Sequence, residues 1–247
     1  MAAHSKSDIG FGKKIRASWL DLSLDHVAAG RTFGEAKAEL TALVQRDNAG
    51  KDAARKALSC LNRVWFDPPS WCRPTRDAAL EVFLQNGSQK TRSILRWGMS
   101  IAAYPFVGSV AEIIGRLIKL QGLAKSSDIK RRVQEKHGDR EFVQRIVRYN
   151  ISSFLDWGAL AETSTKGEYS PSSLIKLSDP TELAWLTEAL LHARPENSLS
   201  VAQLRQHPML FPFDAGDAGL GLSKSNPRIQ VVRHGTVDDV IHLRMAQ

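Results

Sequence analysis

Apolar side chains recur at helical spacing through the first hundred residues of the chain. Ile15, Trp19, Leu20, Leu22, Leu24 and Val27 mark one helix, which stops at Gly30. Thr32 opens a second, with Glu35 three residues on, the spacing of a capping box. Its buried side holds Phe33, Ala36, Leu40, Leu43 and Val44. Ala54, Ala57, Leu58, Leu61, Val64 and Trp65 predict a third helix from about Lys51 to Trp65, ended by Asp67-Pro68-Pro69 because proline cannot continue the backbone ladder. Arg76–Leu84, closed by Asn86-Gly87, and Thr91–Ala103 complete an all-helical first part. Trp65, Phe66 and Trp71 belong by pattern in its core.

The middle of the chain changes rhythm. Phe106–Gln121 is an apolar helix stopped by Gly122. Ser126-Ser127-Asp128 then caps a short helix, Ile129–Lys136, and His137-Gly138 turns the chain. Asp139 caps a long helix, Arg140–Asp156. Strand-like Ala159–Thr163, a turn at Ser164–Gly167 and a return at Glu168–Ser170 follow. Helix, short helix, turn, long helix and two-stranded hairpin is the order of a winged helix-turn-helix.

The rest alternates. Pro180–His192 and Ser200–Gln206 read as helices around a loop rich in Pro and Gly. Arg228–Arg233 and Val240–Met245 read as a hairpin that would extend the wing's sheet, with Arg228, Gln230 and Arg233 as candidate phosphate contacts. The expected class is therefore mainly α. A helical bundle (1–104) precedes a winged helix-turn-helix (105–175), and a small α+β extension with a C-terminal β-hairpin (176–247) packs on the latter.

Charge adds a partner. The chain has 247 residues, with 34 Lys and Arg against 26 Asp and Glu, a net +8 that favours polyanions. Residues 124–150 hold eight of the cations and four of the acids, half of that excess. On the long helix, Phe142, Val143, Ile146, Val147, Ile151, Phe154 and Leu155 share one face, and Arg140, Glu141, Gln144, Arg145, Arg148, Tyr149 and Ser152 the other. An α-helix fits the major groove, where Arg and Gln read base edges. Arg145 and Arg148 are the expected base readers, Gln144 assists, and Arg140 lies beside them. Lys125, Lys130, Arg131 and Arg132 on the preceding helix, and Lys166 at the wing tip, are the expected phosphate contacts. The expected partner is double-stranded DNA. RNA, or a protein held by an adaptor, is the rival reading, disfavoured by the few apolar residues on that outer face.

Chemistry is sparse. Gly216, Gly219, Gly221, Lys224 and Ser225 have the wrong spacing for a phosphate-binding loop, and Asn226-Pro227 blocks the helix such a loop needs. Cys60 and Cys72 lack zinc-ligand spacing, and the histidines are scattered. No catalytic residue, metal or cofactor is expected. Two cysteines make no secreted disulfide framework. The apolar stretch Met99–Leu123 carries Glu112, Arg116 and Lys119, too polar for an ordinary span. It reads as a helix pair broken at Pro105, in a cytoplasmic protein with no membrane contact.

The opening helix ending at Gly30, the segment Thr32–Trp65, Arg92-Ser93-Ile94-Leu95 through Tyr104-Pro105-Phe106, and the basic helix after them together resemble the BrxA family of bacterial BREX phage-defence systems. That family joins a helical domain similar to the antitermination factor NusB to a winged-helix-like region. The resemblance covers about residues 10–175 and is one of pattern and order; the C-terminal hairpin departs from it. It implies a non-enzymatic bacterial accessory factor that binds DNA and other defence-system proteins.

Overall fold

The computed structural model describes residues 10–47, 50–216, 222–234 and 238–244, and within them the protein is mainly helical with small sheets. The first part follows the apolar rhythm. α1 (Ala17–Ala28) precedes α2 (Phe33–Arg46), whose N-terminus carries the capping box: Thr32 accepts from the Glu35 amide, and Glu35 from the Thr32 amide. α3 (Lys51–Leu61) continues as a π-helical turn, Asn62–Phe66, up to Asp67. A 3-10 turn, Ser70–Cys72, leads into α4 (Arg73–Gln85), which starts three residues earlier than the pattern indicates because Pro74 suits the first helical turn. α5 (Gln89–Ala103) is capped by Ser88.

α5 and α6 (Pro105–Gln121) meet at a 116° bend. Tyr104 at the corner is extended, as a residue before proline must be. Among the described residues no single helix is long and apolar enough to cross a membrane. Trp97 of α5 is nearly sealed from solvent and gathers the chain around it. Its ring meets Phe154 at 4.9 Å and Phe211 at 5.3 Å, with Trp157 and Phe213 just beyond, and its Nε1 donates to the Met209 carbonyl.

After Gly122 come β1 (Ala124–Lys125), α7 (Ser126–His137), α8 (Glu141–Asp156), β2 (Leu160–Glu162) and β3 (Glu168–Pro171). The three strands form one antiparallel sheet in the order β1-β3-β2. Two expected caps differ. α7 begins at Ser126, so Ser126-Ser127-Asp128 is its first turn, and α8 begins at Glu141 without a side-chain cap. Asp139 instead accepts from Gln134 Nε2 across the turn.

β4 (Ile175–Lys176) pairs in parallel with β6 (Phe213–Asp214). Between them lie α9 (Pro180–His192), β5 (Ser198–Ser200), α10 (Val201–Arg205) and a 3-10 turn, Pro208–Leu210. α11 (Leu222–Ser225), β7 (Ile229–His234) and β8 (Asp238–Leu243) end the described chain. The terminal hairpin forms, but it does not extend the sheet of β1, β2 and β3 as expected. β8 pairs with β5, giving a separate sheet ordered β5-β8-β7. α9 packs on α4 and α5, and the 3-10 turn on α6, so this last part leans on the bundle as well as on the middle segment.

Glu188 of α9 explains that placement. It is almost fully buried, yet accepts from Thr75 of α4, Asn226, and both the Nε and a terminal nitrogen of Arg228. Burial works against its charge, but these donors prevail and its pKa lies below the usual carboxylate range. Arg228 is thereby removed as a candidate phosphate contact. Trp71 also departs from expectation: it is 48% exposed, with its Nε1 turned to the Ala102 carbonyl.

Two predictions follow from this packing. A Cβ on Gly115 would run into the Pro208 backbone. Gly115→Ala should therefore cost about 3 kcal/mol, the upper end for overpacking, and lower the melting temperature by several degrees. The second concerns acid. Burial, reinforced by Arg194, lowers the pKa of His207 to about 4. An unfolded chain takes up that proton near pH 6.5, so stability should fall as pH drops from about 6.5 toward 4. Urea titrations across that range should show the fall, and His207→Gln should flatten it.

Candidate nucleic-acid interface

The cations of the middle segment are sorted by their neighbours. β1 lies against β3 with Lys125 opposite Glu168, and the two form an ion pair at 3.0 Å. Glu168 raises the pKa of Lys125, fixing its charge but occupying it. The Ser126 amide donates to the Gly167 carbonyl, which ties the hairpin tip to the start of α7. Lys166 projects into solvent beside that junction and pairs with no carboxylate among the described residues.

α7 buries Ile129 and Val133 against its neighbours. Arg131, directly outward, is held by Glu135 at 3.0 Å and by Asp128 at 3.8 Å, both one turn away on its own helix. Arg132 lines a groove between α6 and α7 of about 330 Å³, together with Glu112, Arg116, Glu135 and Lys136. Lys130 lies two residues from Arg132, roughly 200° around the helix, and so occupies the opposite flank. The structure therefore does not bring Lys130 and Arg132 onto one side of α7.

α8 carries the clearest pattern. Val143, Ile146, Val147, Asn150, Ile151, Ser153 and Phe154 are buried. Glu141, Arg145 and Arg148 follow one another along the outward ridge, all exposed, and Arg140 is exposed at the helix start. Neither Arg145 nor Arg148 has a carboxylate partner among the described residues. Gln144 is half-buried on one shoulder and Tyr149 on the other. Phe142, placed by its spacing on the apolar face, is 39% exposed. It sits in the first turn, where the helix has outrun its cover.

One cation was not foreseen. Residues 11–16 run along α8 as a strap. The Ile15 amide donates to Ser153 Oγ at 2.8 Å, the Ala17 amide to Asp156 at 2.9 Å, and Trp157 Nε1 to the Ile15 carbonyl at 2.9 Å. Lys13 Nζ lies 3.3 Å from the Tyr149 hydroxyl and 5.3 Å from the centre of its ring. The only sign of this in the sequence is the short basic run Lys13-Lys14-Ile15-Arg16; nothing local announces a contact across 136 positions.

The remaining candidates are occupied or elsewhere. Gln230 and Arg233 are exposed, on a sheet separate from that of β1, β2 and β3. Residues 217–221 of the Gly-rich run and the turn at 235–237 lie outside the described residues. Among the described residues no three His, Cys, Asp or Glu side chains come together as a metal site. His137 meets Ser109 at 2.8 Å and packs on the Phe106 ring, and burial lowers its pKa, so it serves the α6–α7 contact.

The ion pairs rank the cations. If this surface binds a polyanion, Arg145→Ala should weaken binding several-fold more than Arg131→Ala, because Arg131 must first leave two carboxylates. Equal losses in a salt-dependent titration would remove the ranking. Comparison with protein-family models, with curated proteins and with solved structures finds no match for this chain.

Proposed function

We propose that this protein is a non-enzymatic DNA-binding accessory factor, contacting duplex DNA through α7, α8 and the β2–β3 hairpin as a winged helix-turn-helix. One observation carries the reading. α6, β1, α7, α8, β2 and β3 follow in that order with the sheet paired β1-β3-β2, and the outward ridge of α8 bears two arginines without carboxylate partners. In such an arrangement the long helix enters the major groove. Arg145 and Arg148 then read base edges, where a bidentate arginine on guanine is the commonest specific contact. Gln144, on the shoulder, assists. Lys130, Arg140 and Lys166 neutralise phosphates, with Lys125 and Arg131 contributing only after exchanging their carboxylates. The resemblance to the BrxA family adds the setting, a bacterial phage-defence system with other defence proteins as partners.

A second reading has one observation in its favour. Phe142 stands exposed on α8 beside Arg145, and an exposed aromatic residue is what a protein or RNA partner would bury. In that reading the same helix belongs to an adaptor.

A titration against labelled duplex DNA and single-stranded RNA at several salt concentrations decides between them. Three to five phosphate contacts give a log–log slope of about −2.7 to −4.5 on duplex. The double variant Arg145→Ala/Arg148→Ala should lose affinity at least tenfold and lose any preference among sequences. Absence of duplex binding at low salt would sink the DNA reading. Binding to RNA alone, weakened by Phe142→Ala, would establish the adaptor.

A further inference from the structure

We infer that the interface is built from two distant parts of the chain, and that Lys13 of the N-terminal strap is one of its phosphate contacts. The inference rests on the DNA-binding reading of α8. The strap carries three cations, and the structure treats them differently. Lys14 pairs with Asp156 at 2.9 Å, and Arg16 with Asp47 at 3.1 Å and Asp156 at 3.7 Å. Those two fasten the strap to α8 and to the end of α2. Lys13 meets no carboxylate among the described residues. Among the described residues its ammonium donates to the Tyr149 hydroxyl and lies over the Tyr149 ring.

Tyr149 fixes where that charge sits. It follows Arg148 directly and lies one turn beyond Arg145, so it forms the shoulder of the outward ridge. Ser153 and Asp156, which hold the strap's backbone, follow along that same flank of α8, with Ser153 on its buried side. Lys13 therefore flanks Arg145 and Arg148 on the edge of α8 opposite Gln144. A cation supported by a neutral hydroxyl and a ring keeps its full charge for a phosphate, and the ring limits the side-chain freedom lost on binding. The strap's course is fixed independently of Lys13. Phe11 is fully buried against Tyr104 and Trp157, and a Cβ on Gly10 would meet Ile146 and Phe106 at 3.1 Å. Sequence distance is thus no obstacle to Lys13 acting as part of the α8 surface.

The test compares Lys13→Ala, Lys13→Arg and Arg145→Ala/Arg148→Ala with the unaltered full chain, on one duplex, across a series of salt concentrations. Lys13→Ala should reduce the magnitude of the log–log slope by about 0.9, the value of one phosphate contact, with no change in preference among sequences. Lys13→Arg should restore the slope. An unchanged melting temperature in Lys13→Ala separates lost contact from a loosened strap. A slope unchanged by Lys13→Ala, while the double arginine variant loses affinity, overturns this inference and leaves the DNA reading intact. If the unaltered protein binds no duplex, both fall together.

Discussion

Trp97 is the point on which the parts of this protein converge. It sits on α5, in the bundle, but its ring is enclosed by Phe154 and Trp157 from α8 and by Phe211 and Phe213 from the C-terminal part. Phe11 of the strap closes the cluster by packing on Trp157. Aromatic edges and faces in this range add specific geometry to the area they bury. Four stretches of chain, far apart in sequence, are thereby held in one relation. The chain bends by 116° where α5 gives way to α6, so α6 does not continue the line of the helix that carries Trp97. The outward ridge of α8 is therefore presented by a helix whose inner side is anchored in the core, a rigid seat of the kind that positioned recognition requires.

The same architecture decides which charges are available. The net charge of the middle segment suggests a uniform basic surface, but the structure divides it. Lys125 faces Glu168 because antiparallel pairing puts those two positions opposite each other. Arg131 is held because Glu135 is four residues on and Asp128 three residues back along the same helix. Exposed pairs of this kind add little stability, but each acts as an internal competitor for an incoming phosphate. Among the described residues, the cations of the segment left without a carboxylate partner are Lys130, Arg132 in its groove, Arg140, Arg145, Arg148 and Lys166, with Lys13 brought alongside.

Most helices were legible in the sequence because they carry strong local signals. The Thr32–Glu35 capping box, the glycine stop at 122 and the apolar stripe of α8 each state their structure within a few residues. The strands β2 and β3 were legible through the Gly167 turn. Long-range contacts were not. Glu188 and Arg228 lie forty positions apart, and nothing near either marks a buried pair, so Arg228 read as a surface cation. Whether β8 would join β3 or β5 depends on where α9 packs, which strand propensity does not encode. Phe142 shows the limit of periodicity itself: its spacing is that of a core residue, but the first turn of α8 extends past the elements that would cover it.

That exposed phenylalanine bears on how the ridge of α8 works. A major-groove helix gains its specificity from hydrogen-bonding side chains, and an apolar contact adds to this where it meets a thymine methyl group. Phe142 lies three residues before Arg145, about 60° around the helix from it, and six before Arg148, about 120° away, so its ring stands on the Tyr149 side of the arginine ridge. The aromatic residue that favours a protein partner when considered alone would therefore also suit a groove-reading helix, as an apolar neighbour on the flank of the two arginines. Glu141, in the same turn, would constrain the orientation of a duplex bound as proposed. An acidic group near the phosphate backbone would be repelled, which favours a pose with the N-terminal turn of α8 in the groove, where a carboxylate can accept from cytosine. The ridge thus has a polarity along its length, with Glu141 at its start and the two arginines beyond it.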